Sequence, residues 1–148
     1  MSDPDIVEIL LVEDNPEDAE IALRALRKNH LANNIMHVSD GREALDFLES
    51  RGAGSGAGAK TSPRLILLDL KLPRIDGLEV LRRLKGDAAT RMIPVVILTS
   101  STEETDLVKS YQLGANSYLV KPVDFDKFSE SMREVGMYWL LLNKSPEG

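Results

Sequence analysis

Apolar residues in this chain gather into short runs, and polar groups follow each run. "IVEILLV" (6–12) is short, rich in β-branched residues and nearly all apolar, which predicts a buried strand. "IMHV" (35–38), "LILL" (65–68), "PVVIL" (94–98) and "SYLV" (117–120) predict four more. Between them, apolar residues recur at three- and four-residue spacing, the pattern of a helix with one covered face. In "DNPEDAEIALRALRKNH", Asn15 is the expected N-cap and Pro16 the first helical residue. Ala19, Ala22, Leu23 and Leu26 then share a face. Ser39-Asp40-Gly41 leads into a second helix with Ala44, Leu45 and Leu48. A third helix is expected over "GLEVLRRLK" (77–85), and a fourth over 103–113, closed by Gly114. "FDKFSESMREVGMYWLLLN" (125–143) is the last. "RGAGSGAGAKTSP" (51–63) is a flexible loop, not a phosphate cradle, because it lacks the Gly-Lys-Ser/Thr ending of a P-loop.

Five strands alternating with five helices predict parallel β-α-β units with right-handed crossovers, hence an α/β, doubly wound parallel sheet. A chain of 148 residues, 43% hydrophobic and 28% charged, suits one globular domain. The formal charge of −6 argues against nucleic-acid or anionic-membrane partners. Without cysteine there is no disulfide framework, thiolate chemistry or Cys-based zinc site. The N-terminus lacks a secretory pattern and no apolar run is long enough to span a membrane, so a cytoplasmic protein is expected.

In a doubly wound sheet, sites form beyond the carboxyl ends of the strands. Glu13 and Asp14 follow the first strand, Asp69 the third, Thr99 the fourth, and Lys121-Pro122 the fifth. Gathered at one end, three carboxylates would repel unless a cation intervenes. Mg²⁺ suits a site of few carboxylates with retained water. A metal, Lys121 and the Thr99 hydroxyl facing a free carboxylate is an arrangement for phosphoryl transfer, with Asp69 as nucleophile. Taken singly, these residues read as loop acids, a helix-capping Asp, a strand-end Thr and a surface Lys. Their succession at the strand ends favours the joint reading.

"LLVEDN", "LILLDLKLPRIDGLEVLRRLK", "PVVILTSS" and "GANSYLVKPVDFDKF" together resemble the receiver domain of two-component response regulators, over nearly everything from Ile6 to Leu142. The resemblance implies a flavodoxin-like fold with strand order 2-1-3-4-5. It implies an Mg²⁺ site made by Glu13, Asp14, Asp69 and the backbone carbonyl of Lys71. Asp69 would be the phosphoacceptor, Thr99 the switch hydroxyl, Tyr118 the switch aromatic and Lys121 the phosphoryl-binding lysine. It also implies a cis Lys121-Pro122 bond, a sensor histidine kinase as donor, and a Tyr118 that rotates inward on phosphorylation. "LTSSTEE", "ANSYLVKPVDFDKF" and "YWLLLN" look like single-domain receivers paired with phytochrome kinases. With about five residues after the last helix, no output domain is expected, and 1–148 reads as a single receiver domain.

Rival functions fit less well. A Mg²⁺-dependent aspartyl phosphatase of the haloacid-dehalogenase type needs a second Asp where Lys71 stands. A flavin or nucleotide module needs a Ser/Thr/Gly phosphate loop where "EDNPEDAE" stands. A non-phosphorylated pseudo-receiver needs a lost site residue. The last helix adds an expectation of its own. Phe125, Phe128, Met132, Val135, Trp139 and Leu142 form a core stripe, but Tyr138, Leu140 and Leu141 fall outside it, so a homodimer through that helix and the neighbouring face is expected. The Lys71 ammonium is a candidate for setting the lifetime of a phosphorylated Asp69. His30 and His37 read as structural or surface groups.

Overall fold

The computed structural model describes residues 7–28, 34–50, 62–121, 126–128 and 130. Among them, strands and helices alternate: β1 (Ile9–Val12), α1 (Pro16–Lys28), β2 (Ile35–Val38), α2 (Gly41–Ser50), β3 (Leu65–Leu68), α3 (Gly77–Gly86), β4 (Val95–Thr99), α4 (Glu104–Gln112) and β5 (Ser117–Val120). Residues 126–128 are helical again, inside the last helix expected from the sequence. All pairings are parallel and the sheet order is β2-β1-β3-β4-β5.

Alternation along each strand sends neighbouring side chains to opposite faces, and both faces are covered. On one, Leu10, Val12, Ile66, Leu68, Val95 and Ile97 pack with Ala44 and Leu48 of α2 and with Val80, Leu81 and Leu84 of α3. On the other, Ile9, Leu11, Leu65, Leu67 and Val96 meet Ala19 and Leu26 of α1, and Phe128. Burying each large aliphatic chain contributes about 1.5–3 kcal/mol, so β1 and β3 are the most firmly held strands. Their carboxyl ends are where the sheet order reverses.

The local signals act as expected at α1. Asn15 Oδ1 accepts from the N–H groups of Glu17 and Asp18 at 2.9 and 3.1 Å, capping the helix, and Pro16 fills a position with no ladder bond to lose. Gly114 ends α4 at φ 110°, a conformation that suits a residue without Cβ. Strands β2, β3 and β5 have the bounds expected from the sequence. Strand β4 is shifted by one. Pro94 has no N–H for the ladder and only its carbonyl serves, accepting from Ile66, so the strand starts at Val95, and it runs on to Thr99, which pairs with Val120 of β5. Strand β1 begins at Ile9 because the N–H groups of Glu8 and Ile9 share one acceptor, the Asn34 carbonyl. Helix α4 begins after Glu103, its N-cap, and ends at Gln112, while α3 runs on to Gly86. The loop residues 51–61, His30, Pro122 with its expected cis bond, and the apolar end of the last helix lie outside the described residues.

A candidate metal and phosphoryl site at the carboxyl edge of the sheet

Main-chain hydrogen bonds carry the ladder one residue beyond the strands. The Glu13 N–H donates to the Val38 carbonyl at 3.0 Å, Asp69 N–H to Val12 at 3.1 Å, and Lys121 N–H to Thr99 at 2.8 Å. Each side chain is thereby fixed to a neighbouring strand, and parallel pairing puts them all at one end. Carboxylate oxygens of Glu13, Asp14 and Asp69 lie within 4.8 Å of one another. Glu13 and Asp69 are buried, at 2% and 5% exposure, and Asp14 is open to solvent.

Lys121 reaches into this cluster. Its Nζ donates to Asp69 Oδ2 and Asp18 Oδ2, each at 2.9 Å, and pairs with Glu13 Oε1. An ammonium has three protons, and three carboxylates take them. Burial alone would pull the Lys121 pKa down, but hydrogen bonds to Glu13, Asp18 and Asp69 outweigh it and the group is held above its usual value. Glu13 shifts upward. Burial is the main cause and the Asp69 charge adds to it, while Lys121 and the Asn15 N–H pull the other way.

The segment after β3 doubles back onto Asp69. Asp69 Oδ1 accepts from the Lys71 N–H at 3.2 Å, and the Gly77 N–H donates to the Leu70 carbonyl at 2.9 Å. A Cβ at Gly77 would stand 2.2 Å from the Asp69 carbonyl oxygen, so α3 starts against the backbone that carries Asp69. Arg74, at φ 68°, centres a tight turn closed by the Ile75 N–H and the Pro73 carbonyl, and its guanidinium pairs with Asp40 at 3.4 Å.

Thr99 is fully buried and its Oγ1 accepts from the Ser101 N–H at 3.3 Å. Ser101 joins several elements: its Oγ donates to Asp106 of α4 at 2.6 Å, and its carbonyl accepts from Tyr118 Oη at 3.1 Å. Tyr118 is partly buried and packs against the core of the sheet. The Lys71 ammonium pairs with Asp106 on α4 at 3.7 Å.

Glu13, Asp14, Asp69, Lys71, Thr99 and Lys121, singled out from the sequence, stand at this edge. Asp18 was missed, and the contact that His37 makes, within its expected structural or surface role, was not foreseen. Asp18 is an acid in the first turn of α1, where acids are ordinary complements of the helix dipole, so nothing marked it. His37 Nε2 lies 2.8 Å from the Glu13 carbonyl, a contact that needs the proton on Nε2, so this histidine steadies the acidic corner. Three carboxylate donors fit a hard divalent cation, and the ammonium beside Asp69 fits an anionic substituent there.

Comparison with known proteins agrees with this chemistry. The response regulator receiver domain model matches residues 9–133. The solved bacteriophytochrome response regulator AtBRR is 51% identical, with TM-score 0.78, over 94% of this chain and 99% of that one. The probable methanogenesis regulatory protein FilR2 of Methanothrix harundinacea is 42% identical, over 93% of this chain and 86% of the relative. Response regulator Rcp1 of Synechocystis sp. is 36% identical, over 89% of this chain and 88% of the relative. A crystal structure of the Mn²⁺-bound form of Rcp1 aligns at TM-score 0.73 and 35% identity, over 95% and 98% of the two chains. This chain belongs to the response regulator receiver domain family, whose members are in general phosphoacceptor signalling proteins and not enzymes acting on outside substrates. Among the described residues, no helix is long and apolar enough to cross a membrane.

Proposed function

We propose that this protein is a cytoplasmic, single-domain response regulator that takes a phosphoryl group on Asp69 from a phosphohistidine of a sensor histidine kinase, of the phytochrome-associated type. The observation that carries this reading is the meeting of Glu13, Asp14, Asp69 and Lys121, from three strand ends, in one crevice. Mg²⁺ would be held by Glu13, Asp14, Asp69 and the Lys71 carbonyl, and when bound would offset charge on the transferred group. An Asp69 oxygen attacks phosphorus, the phosphorus–nitrogen bond breaks, and its electron pair stays on the departing imidazole. Lys121 gives up carboxylate partners for a phosphoryl oxygen. The Thr99 oxygen already accepts from Ser101, which leaves its own proton to donate toward that group.

Thr99 and Tyr118 serve as the switch. Their common partner is Ser101, so a displacement of Thr99 reaches the Tyr118 ring through one residue. The apolar sequence at 138–142 supports self-association as a homodimer. Lys71, two residues past Asp69, offers no acid for turnover of outside substrates, which disfavours the phosphatase reading. Native protein incubated with acetyl phosphate and Mg²⁺ is expected to gain the mass of one phosphoryl group, and Asp69→Asn none. No gain by the native chain, or an equal gain by the variant, would defeat the assignment.

A further inference from the structure

Lys121 is already fully engaged. Its ammonium meets Glu13 and Asp69, the two buried carboxylates of the site, and also Asp18, which projects from the first turn of α1. Asp18 differs from the other two: its side chain is 37% exposed, and it stands outside the cluster of three carboxylates that fits a metal. An anionic group on Asp69 therefore finds the lysine's third proton held by an acid with no other task among the contacts described.

We infer that Asp18 is a positioning residue that holds Lys121 toward α1 and competes with the phosphoryl group for its ammonium, weakening the phosphorylated state. This rests on the assignment of Asp69 and Lys121 in the proposed function and adds a carboxylate that limits phosphoryl affinity. The geometry favours competition over assistance. Lys121 is already anchored at its own backbone, through the Thr99 carbonyl, and by Glu13 and Asp69. Losing Asp18 would leave it in place with one proton free.

The test is equilibrium binding of beryllium fluoride, a phosphoryl mimic, in saturating Mg²⁺, followed by fluorine NMR. Asp18→Asn is expected to bind about threefold to fivefold more tightly than the native chain, the scale of one partly exposed charge pair. Asp18→Glu restores native affinity. Glu17→Gln removes the same charge one residue earlier, on an exposed side chain, and sets the size of a general field effect. Tightening by Asp18→Asn beyond that of Glu17→Gln supports the inference. Equal tightening, no change or weaker binding overturns it. If the native chain binds no mimic, or Asp69→Asn binds it equally, the phosphoacceptor assignment falls first and this inference with it.

Discussion

Lys121→Met is expected to lower the stability of the metal-free protein by about 3 kcal/mol, and at the same time to raise its affinity for Mg²⁺ by roughly tenfold. Both effects have one origin. The Lys121 ammonium is the counter-charge for Glu13, Asp18 and Asp69, two of them buried. Removing one partner of a buried ion pair leaves uncompensated charge, and that costs more than the pair itself contributes. Burial already raises Glu13 above its ordinary value despite the help of Lys121. In the variant a divalent cation no longer displaces an ammonium from oxygens it needs, so it binds more strongly. It also restores stability by mass action, about 2.7 kcal/mol at a hundredfold excess over Kd. Thermal melts with EDTA and with Mg²⁺, together with calorimetric Mg²⁺ titration, read both arms. Equal melting temperatures in EDTA, or weaker Mg²⁺ binding, would show that the lysine is not the resident counter-ion.

Gly77→Ala should be nearly as costly, for a reason of shape alone. The added Cβ would meet the Asp69 carbonyl oxygen at 2.2 Å and the Leu70 Cα at 2.5 Å. Both are main-chain atoms, so no rotamer change relieves the clash, and either α3 or the Asp69 loop must shift. Overpacking of this kind costs about 1–3 kcal/mol. The loss appears as a melting temperature lower by roughly 3–10 °C for a chain of this size. Displacing the Asp69 loop by as little as about 1 Å should slow uptake from acetyl phosphate up to about a hundredfold. Gly86→Ala is the internal control, since nothing lies within 4 Å of a Cβ there. Native-like melting and phosphorylation of Gly77→Ala would refute the close approach of α3 to the site.

The sheet was legible in the sequence because its central strands are covered on both faces and so read as unbroken apolar runs. "LILL", central and buried throughout, has the bounds its composition suggests, while "SYLV" at the sheet edge is only partly buried and was marked by its β-forming residues instead. The uncertain edges lay where side-chain pattern and backbone bonding part company: Pro94 is apolar but cannot join the ladder, and Val7 is buried but precedes the regular pairing. Asp69, Thr99 and Lys121 were legible because a parallel sheet turns their place at strand ends into shared location. Asp18 and His37 were not. One is an ordinary acid in a helix's first turn. The other bonds to a main-chain carbonyl, which leaves no trace in residue spacing. The position of Tyr118 was hidden for the same reason, because its partner is the backbone oxygen of Ser101.

The convergence of these strand ends on one cation is best tested with trace Mn²⁺ added to isotope-labelled protein, read as paramagnetic broadening of amide signals. Glu13, Asp14, Asp69, Lys71, Thr99 and Lys121 should broaden first and together, ahead of Arg64, Met92 and Asn116 at the other end of the strands. If Lys121 or the Glu13-Asp14 corner stays sharp while Asp69 broadens, or if the strongest broadening falls on acids elsewhere, the proposed site does not exist.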